Sequence, residues 1–285
     1  MRWRGREKST HVEDRRGTST GKVIGGSIGV GALLFILAYT LITGEIPTDL
    51  LKQTQLPPAQ TQQTGKTTTE NDELAEFTKV VLKDTEDVWA KVFRDELNRN
   101  YRPPVMVLYD GYTPAACGMA NAAVGPFYCP ADEKIYVDLS FFRDLKRKFG
   151  ASGDFAIAYI LAHEVGHHVQ NLLGITRKVQ SLRPRLSNRE YNKLSVRLEL
   201  QADYLAGVWA HHIEKMKHVL NEGDIEEAVN AAAAVGDDRL QKRHTGRVVP
   251  DAFTHGTSEQ RVRWFLKGFQ SGDIRQGDTF NATEL

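Results

Sequence analysis

Apolar positions follow two regimes along this chain. From Val23 to Ile42 twenty residues pass without a charge, and a helix rising about 1.5 Å per residue would carry them across the roughly 30 Å core of a bilayer. Further on, Leu74, Phe77, Val81, Val88, Val92 and Phe93 recur at helical spacing, predicting an amphipathic helix that ends before Pro103 and Pro104. Val105 to Tyr109 reads as a strand. Lys134 to Leu139 alternates, with Ile135, Val137 and Leu139 on one side, which predicts a half-buried strand. Ser140 is a candidate cap for a short helix, and Asp154 for a helix that runs to Leu173 and stops at Gly174. Ser187 and Glu190 have the spacing of a capping box for a long helix reaching about His218, while Asp224 and Thr257 are candidate caps for two more. Helices outnumber strands, so the expected class is α+β, mainly α.

Charge divides the chain further. Arg2, Arg4, Arg6, Lys8, Arg15, Arg16 and Lys22 outweigh Glu7, Glu13 and Asp14 before the apolar run, whereas Glu45 and Asp49 follow it. The positive-inside rule then predicts a single-pass protein of the cytoplasmic (inner) membrane, with residues 1–22 as a basic cytoplasmic tail and 23–42 as the transmembrane anchor. A cleaved signal peptide would carry a shorter apolar core and a clean small-residue cleavage site, and a buried core helix would not need so unbroken an apolar run. Gly21, Gly25 and Gly29 stand at four-residue spacing and would let two anchors pack closely as a homodimer. Residues 43–71 are rich in Thr, Gln and Pro and read as a flexible linker to a folded domain at 72–285, periplasmic or otherwise extracytoplasmic.

Composition narrows the classes. With 41% hydrophobic and 26% charged residues the chain is neither disordered nor fibrous. A net charge of +1, with no basic stripe interleaved with aromatics, argues against nucleic acid as a partner. The two cysteines, Cys117 and Cys129, both lie in the domain expected outside, where an oxidising compartment would let them form a disulfide across a short loop. Two unpaired buried thiols are the alternative, and the lack of a C-x-x-C pair argues against metal binding by them.

The chemistry concentrates on AYILAHEVGHHVQNLLG. His163 and His167 are four residues apart, hence one turn apart on one helix face, and can offer two imidazole nitrogens to one metal ion. Glu164 sits beside the metal without ligating it, placed to take a proton from a metal-activated water. In SVRLELQADYLAGVWAHH, Glu199 and Asp203 are again four apart. Glu199 fits as the third ligand of a catalytic Zn²⁺, and Asp203 as the carboxylate that accepts the outer N–H of a ligand imidazole. His168 is about 140° around the helix from His163 and is not expected to bind the same ion. His211, His212, His218 and His244 read as surface residues. Tyr136 and the strand Lys134 to Leu139 are placed to bind substrate backbone by adding to the sheet, and a half-buried structural strand would show the same pattern.

HEVGH followed by ELQAD resembles the gluzincin arrangement of zinc metallopeptidases. Together with the apolar segment, the Cys117 to Cys129 loop, LELQADYLAGVWA and FTHGTSEQRVRWF, it resembles the bacterial membrane-anchored family known as "putative neutral zinc metallopeptidase", over nearly the whole chain. The resemblance implies a zincin-like domain hydrolysing peptide or protein substrates, with His163, His167 and Glu199 as zinc ligands and Glu164 as catalytic base. THGTSEQR is similar to a Thr-His-Pro segment followed by Arg in membrane-linked zinc peptidases of the heat-shock type, which implies a catalytic role for His255 in stabilising the oxyanion, with Arg261 as the runner-up or as a structural ion pair. Gly256 replaces the proline of that pattern. The competing reading is an anchored quality-control or binding adaptor that cleaves nothing and keeps a structural metal. A structural site is closed by a fourth ligand, and the sequence offers Glu164 but no obvious fourth donor.

Overall fold

Two strands expected from sequence, here β2 (Val105–Tyr109) and β6 (Lys134–Asp138), lie side by side and parallel, with Met106 opposite Ile135 and Leu108 opposite Val137. Around this pair the computed structural model, which describes residues 1–17, 69–121, 125–150 and 152–285, builds a four-stranded sheet of order β1-β2-β6-β5. β1 (Val12–Asp14) runs parallel to β2, and β5 (Phe127–Cys129) antiparallel to β6. A separate hairpin, β3 (Tyr112–Ala115) with β4 (Gly118–Asn121), follows β2. Sequence analysis did not anticipate β1, β3, β4 or β5, which are three or four residues each and too short for an alternating pattern to register.

β6 departs from expectation. Ile135, Tyr136, Val137 and Asp138 are all buried, so the strand is interior and covered on both faces rather than half-buried. Ile135 and Val137 join the main core with the helices, while Tyr136 joins a second cluster with Val107, Tyr109, Ala120 and Cys129. The Cys117–Cys129 disulfide is present and ties the turn of the hairpin to β5.

Eight α-helices are described: α1 (Thr69–Leu97), α2 (Ser140–Phe149), α3 (Asp154–Leu172), α4 (Ile175–Leu182), α5 (Asn188–Lys217), α6 (Asp224–Ala234), α7 (Asp237–Thr245) and α8 (Ser258–Ser271). The capping box at Ser187 forms as its spacing predicts, through Glu190, and the expected cap Thr257 proves to be a second box, with Gln260. Gly174, left-handed at φ 79°, follows the end of α3. At Ser140 and Asp154 a different side chain does the work expected of the cap. Asp138 accepts the N–H of Ser140 at 2.8 Å, and Glu227 on α6 accepts that of Phe155 at 2.9 Å. Asp154 and Asp224 are instead the first residues of their helices, after Gly153 and Gly223.

α3 and α5 pack closely enough that a Cβ added at Gly166 would lie 3.0 Å from the carbonyl oxygen of Ala202. That close approach is the reason a glycine sits between Glu164 and His167, and it sets the two site-bearing helices at a fixed separation.

The basic tail is corrected by the structure. Residues 1–17 are not a separate unit but part of this fold. Met106 donates its N–H to the carbonyl of His11 at 2.9 Å, Trp3 stacks edge-on against Phe77 at 5.3 Å, and the Met1 ammonium pairs with buried Asp224 at 3.2 Å. Asp84, fully buried on α1, is paired with Arg6 and, at 3.0 Å, with Lys217. The linker reading is shortened as well, since residues 69–71 already belong to α1. The expected anchor at 23–42 and the linker up to residue 68 lie outside the described residues. Among those described, no helix is long and apolar enough to cross a membrane.

Because Trp3 bridges Phe77 and the Asp154 carboxylate, Trp3→Ala is expected to destabilise the domain by about 1–3 kcal/mol. Urea unfolding of the full chain measures this, and no change in midpoint would return residues 1–17 to the status of a loose tail.

Candidate active site

α3 is apolar along most of its length, and His163 and Glu164 are buried with it. α5 crosses it and brings Glu199 opposite. The Nε2 of His163 lies 3.2 Å from Glu199 Oε2, and the Nε2 of His167 lies 3.4 Å from Glu199 Oε1. One donor atom from each of the three side chains can be chosen so that all lie within 4.8 Å of one another. Ligands about 2.0–2.2 Å from a tetrahedral ion stand roughly 3.3–3.6 Å apart, close to the 3.2 and 3.4 Å by which the two imidazoles approach the two oxygens of Glu199. They form the one such group of three donors among the described residues.

The surroundings of the donor set are anionic. Burial opposes charge on His163, yet Asp203 and Glu199 raise its pKa to about 10. Burial likewise works against ionised Glu199, but His167 and His255 hold its carboxyl well below the usual range. Two imidazoles facing ionised carboxylates in a buried pocket suit a divalent ion.

The outer nitrogens of both imidazoles are engaged. Asp203 Oδ1 lies 2.8 Å from His163 Nδ1, the position expected of a carboxylate that fixes the ring. Asp203 also takes a hydrogen bond from the Tyr159 hydroxyl at 2.5 Å and a two-pronged one from Arg261, at 2.8 Å from Nε and 2.9 Å from Nη2. Arg261 is therefore the structural ion pair of the two roles considered for it. Burial raises the Asp203 pKa, but Arg261 and His163 outweigh it and bring it to about 2. For His167 the partner is Gln170, whose Oε1 lies 2.8 Å from Nδ1 and whose amide donates to the carbonyl of Leu198 on α5. Tyr159 and Gln170 escaped sequence analysis. Their signal was position, one turn before and one turn after the two histidines on an apolar helix where a polar group needs a purpose.

Glu164 is the buried residue beside these ligands. Burial raises its pKa, against the opposing pull of His163 and His167, and its Oε2 accepts the N–H of Tyr128 on β5 at 2.8 Å. The Tyr128 hydroxyl is also held from α3, by Asn171 Nδ2 at 3.1 Å and by His168 Nδ1 at 3.0 Å. His168, with its Nε2 at 2.7 Å from the carbonyl of Arg102, is engaged away from the metal donors. His211 and His212 bond the carbonyls of Phe269 and Gly272, and His218 is exposed. The His244 side chain is outside the described residues.

The substrate-strand expectation is corrected. Tyr136 lies on interior β6, stacks on Phe127 at 5.2 Å and donates to Asp132 at 2.7 Å. The strand at the edge of the sheet, beside Glu164, is β5.

His255 sits in the loop before α8 with its side chain 49% exposed. Although burial opposes it, Glu199 and Asp237 raise its pKa. The loop is shaped by Asp237, whose Oδ2 accepts the N–H groups of Thr254, His255 and Gly256. Gly256 adopts φ 91°, which a proline cannot reach, so the departure from Thr-His-Pro follows from the turn this loop makes.

A family model described as "Putative neutral zinc metallopeptidase" matches residues 1–280. The chain is 50% identical to "Uncharacterized protein YpfJ" of Escherichia coli K12, over 98% of this chain and 99% of that one. It is 45% identical to "Uncharacterized protein Rv2575" of Mycobacterium tuberculosis H37Rv over 65% of each. No solved structure matches it.

Loss of a donor should empty the site. Glu199→Ala in the full chain is expected to abolish tight zinc binding, read by metal analysis after gel filtration against a wild type that carries zinc. Asp203→Asn is expected to weaken zinc roughly 10–100-fold in competition with a chromophoric chelator. Asp203→Ala, which strands buried Arg261, should in addition cost about 3–5 kcal/mol in urea unfolding.

Proposed function

This chain belongs to that zinc metallopeptidase family, and on that footing we propose that it is a zinc-dependent peptidase acting on extended peptide or protein chains, attached to a membrane through residues 23–42. The observation that carries the reading is the convergence of His163, His167 and Glu199 beside a buried carboxylate, Glu164, that is not one of the three donors. A zinc ion held there would supply Lewis acidity, lowering the pKa of a water at its remaining position to about 7.

The rest of the chemistry belongs to side chains of this protein. Glu164 accepts the proton of the attacking water and passes it to the leaving amine. Burial raises its pKa, which favours holding that proton between the two transfers. The N–H of Tyr128 fixes the carboxylate against β5, along whose outer edge an extended substrate would lie. His255, partly exposed and favoured as a cation by Glu199 and Asp237, is the group that would steady the oxyanion. Asp203, Tyr159 and Arg261 orient His163, and Gln170 orients His167.

Glu164→Gln is expected to lower cleavage of a denatured protein by at least roughly 10²-fold while leaving zinc bound. Zinc lost together with activity would mean that Glu164 is a ligand and not the base. His255→Ala should reduce kcat by about 10²–10³-fold with metal content unchanged. Single-turnover rates on a fluorogenic peptide measure it, and an unaltered rate removes His255 from the chemistry.

A further inference from the structure

The described residues on either side of 18–68 meet at one place. The N–H of Gly17 is accepted by Asp110 at 2.9 Å, and Arg16 reaches the carbonyl of Asn71 at 3.1 Å and the carboxylate of Asp72 at 3.4 Å. Just upstream, β1 is held in register with Met106, Val107 and Leu108. Residues 17 and 69 therefore stand on the same side of any membrane. A single crossing by 23–42 would part residues 1–17 from 69–285 and tear β1 from its sheet. A return crossing has no candidate, because 43–68 contains no long apolar run and includes Glu45, Asp49, Lys52 and Lys66.

The surface around that place is unusual. The hairpin begins two residues after Asp110, and Arg15 donates from Nη1 to the Thr113 hydroxyl at 3.1 Å and the Pro114 carbonyl at 3.3 Å. Thr113 pairs with Ala120 on its buried face. Tyr112 and Pro114, opposite Asn121 and Met119, form the other face, and there Tyr112 is 55% and Met119 58% exposed. Two large apolar side chains turned outward on one short hairpin, one of them the amphipathic tyrosine, fit a bilayer interface.

We propose that this hairpin face rests on the lipid bilayer entered by residues 23–42, with residues 1–17 and the catalytic domain together on that one side. The proposal rests on the membrane attachment stated above and replaces the expected orientation, in which the amino terminus and the domain face opposite compartments. The Cys117–Cys129 bridge joins the hairpin to β5, so the candidate site is set beside the lipid surface and not at the end of a tether.

The test uses the full chain with vesicles of phosphatidylethanolamine and phosphatidylglycerol, and an environment-sensitive fluorophore on Met119→Cys or on Glu259→Cys, whose native side chain is 81% exposed. The expected result is flotation with the vesicles, a blue shift and loss of iodide quenching for the label at 119, and no change for the label at 259. A floating chain whose label at 119 stays fully quenched overturns the proposal but spares membrane attachment. Failure to float removes both. Shielding at 119 before vesicles are added means that the chain covers its own hairpin, which also overturns the proposal. In intact cells, a membrane-impermeant maleimide should label Glu7→Cys and Glu259→Cys together or not at all until lysis. Labelling of one alone restores the single crossing and overturns the shared side.

Discussion

The carboxylate of Asp203 is the constraint on which the site depends. It has no solvent exposure, and an ion in that position is tolerated only when every lone pair is used. Arg261 grips both oxygens from α8, while Tyr159 and His163 reach one of them from α3. Three helices distant in sequence therefore meet on one charge. The same contacts that pay its desolvation also fix the plane of the His163 ring, so metal geometry and helix packing cannot vary independently.

Much of this was legible in the chain. Helical spacing, the capping box at Ser187 and the candidate cap at Thr257 located α1, α3, α5 and α8, and the four-residue spacings put His163, His167, Glu199 and Asp203 on facing turns. Those signals are local, or repeat with the period of a helix. What escaped depends on contacts between distant segments. Tyr128 meets Glu164 only because a three-residue strand pairs with β6, and Asp237 shapes the loop of His255 from the start of another helix. Tyr136 drew attention through an alternating pattern, yet strand order, which no local pattern encodes, put β5 at the edge.

The charges of the amino-terminal residues have a second use. Their positive charge reads as a topology marker, but much of it is spent inside the fold: Arg6 on buried Asp84, Arg16 on Asp14 and Asp72, Arg15 on Glu13. A charge engaged by a protein carboxylate is a poor reporter of membrane orientation.

The position of β1 bears on the order in which the molecule is made. Residues 12–14 are made before the strand they pair with, which is some ninety residues behind them, and the partners of Met1 and Arg2, at Asp224 and Val219, are made later still. Contacts that span so much chain are slow to close. Residues 1–17 therefore stay without these partners until the later segments are made, and anything that captures them meanwhile leaves β2 with an open edge.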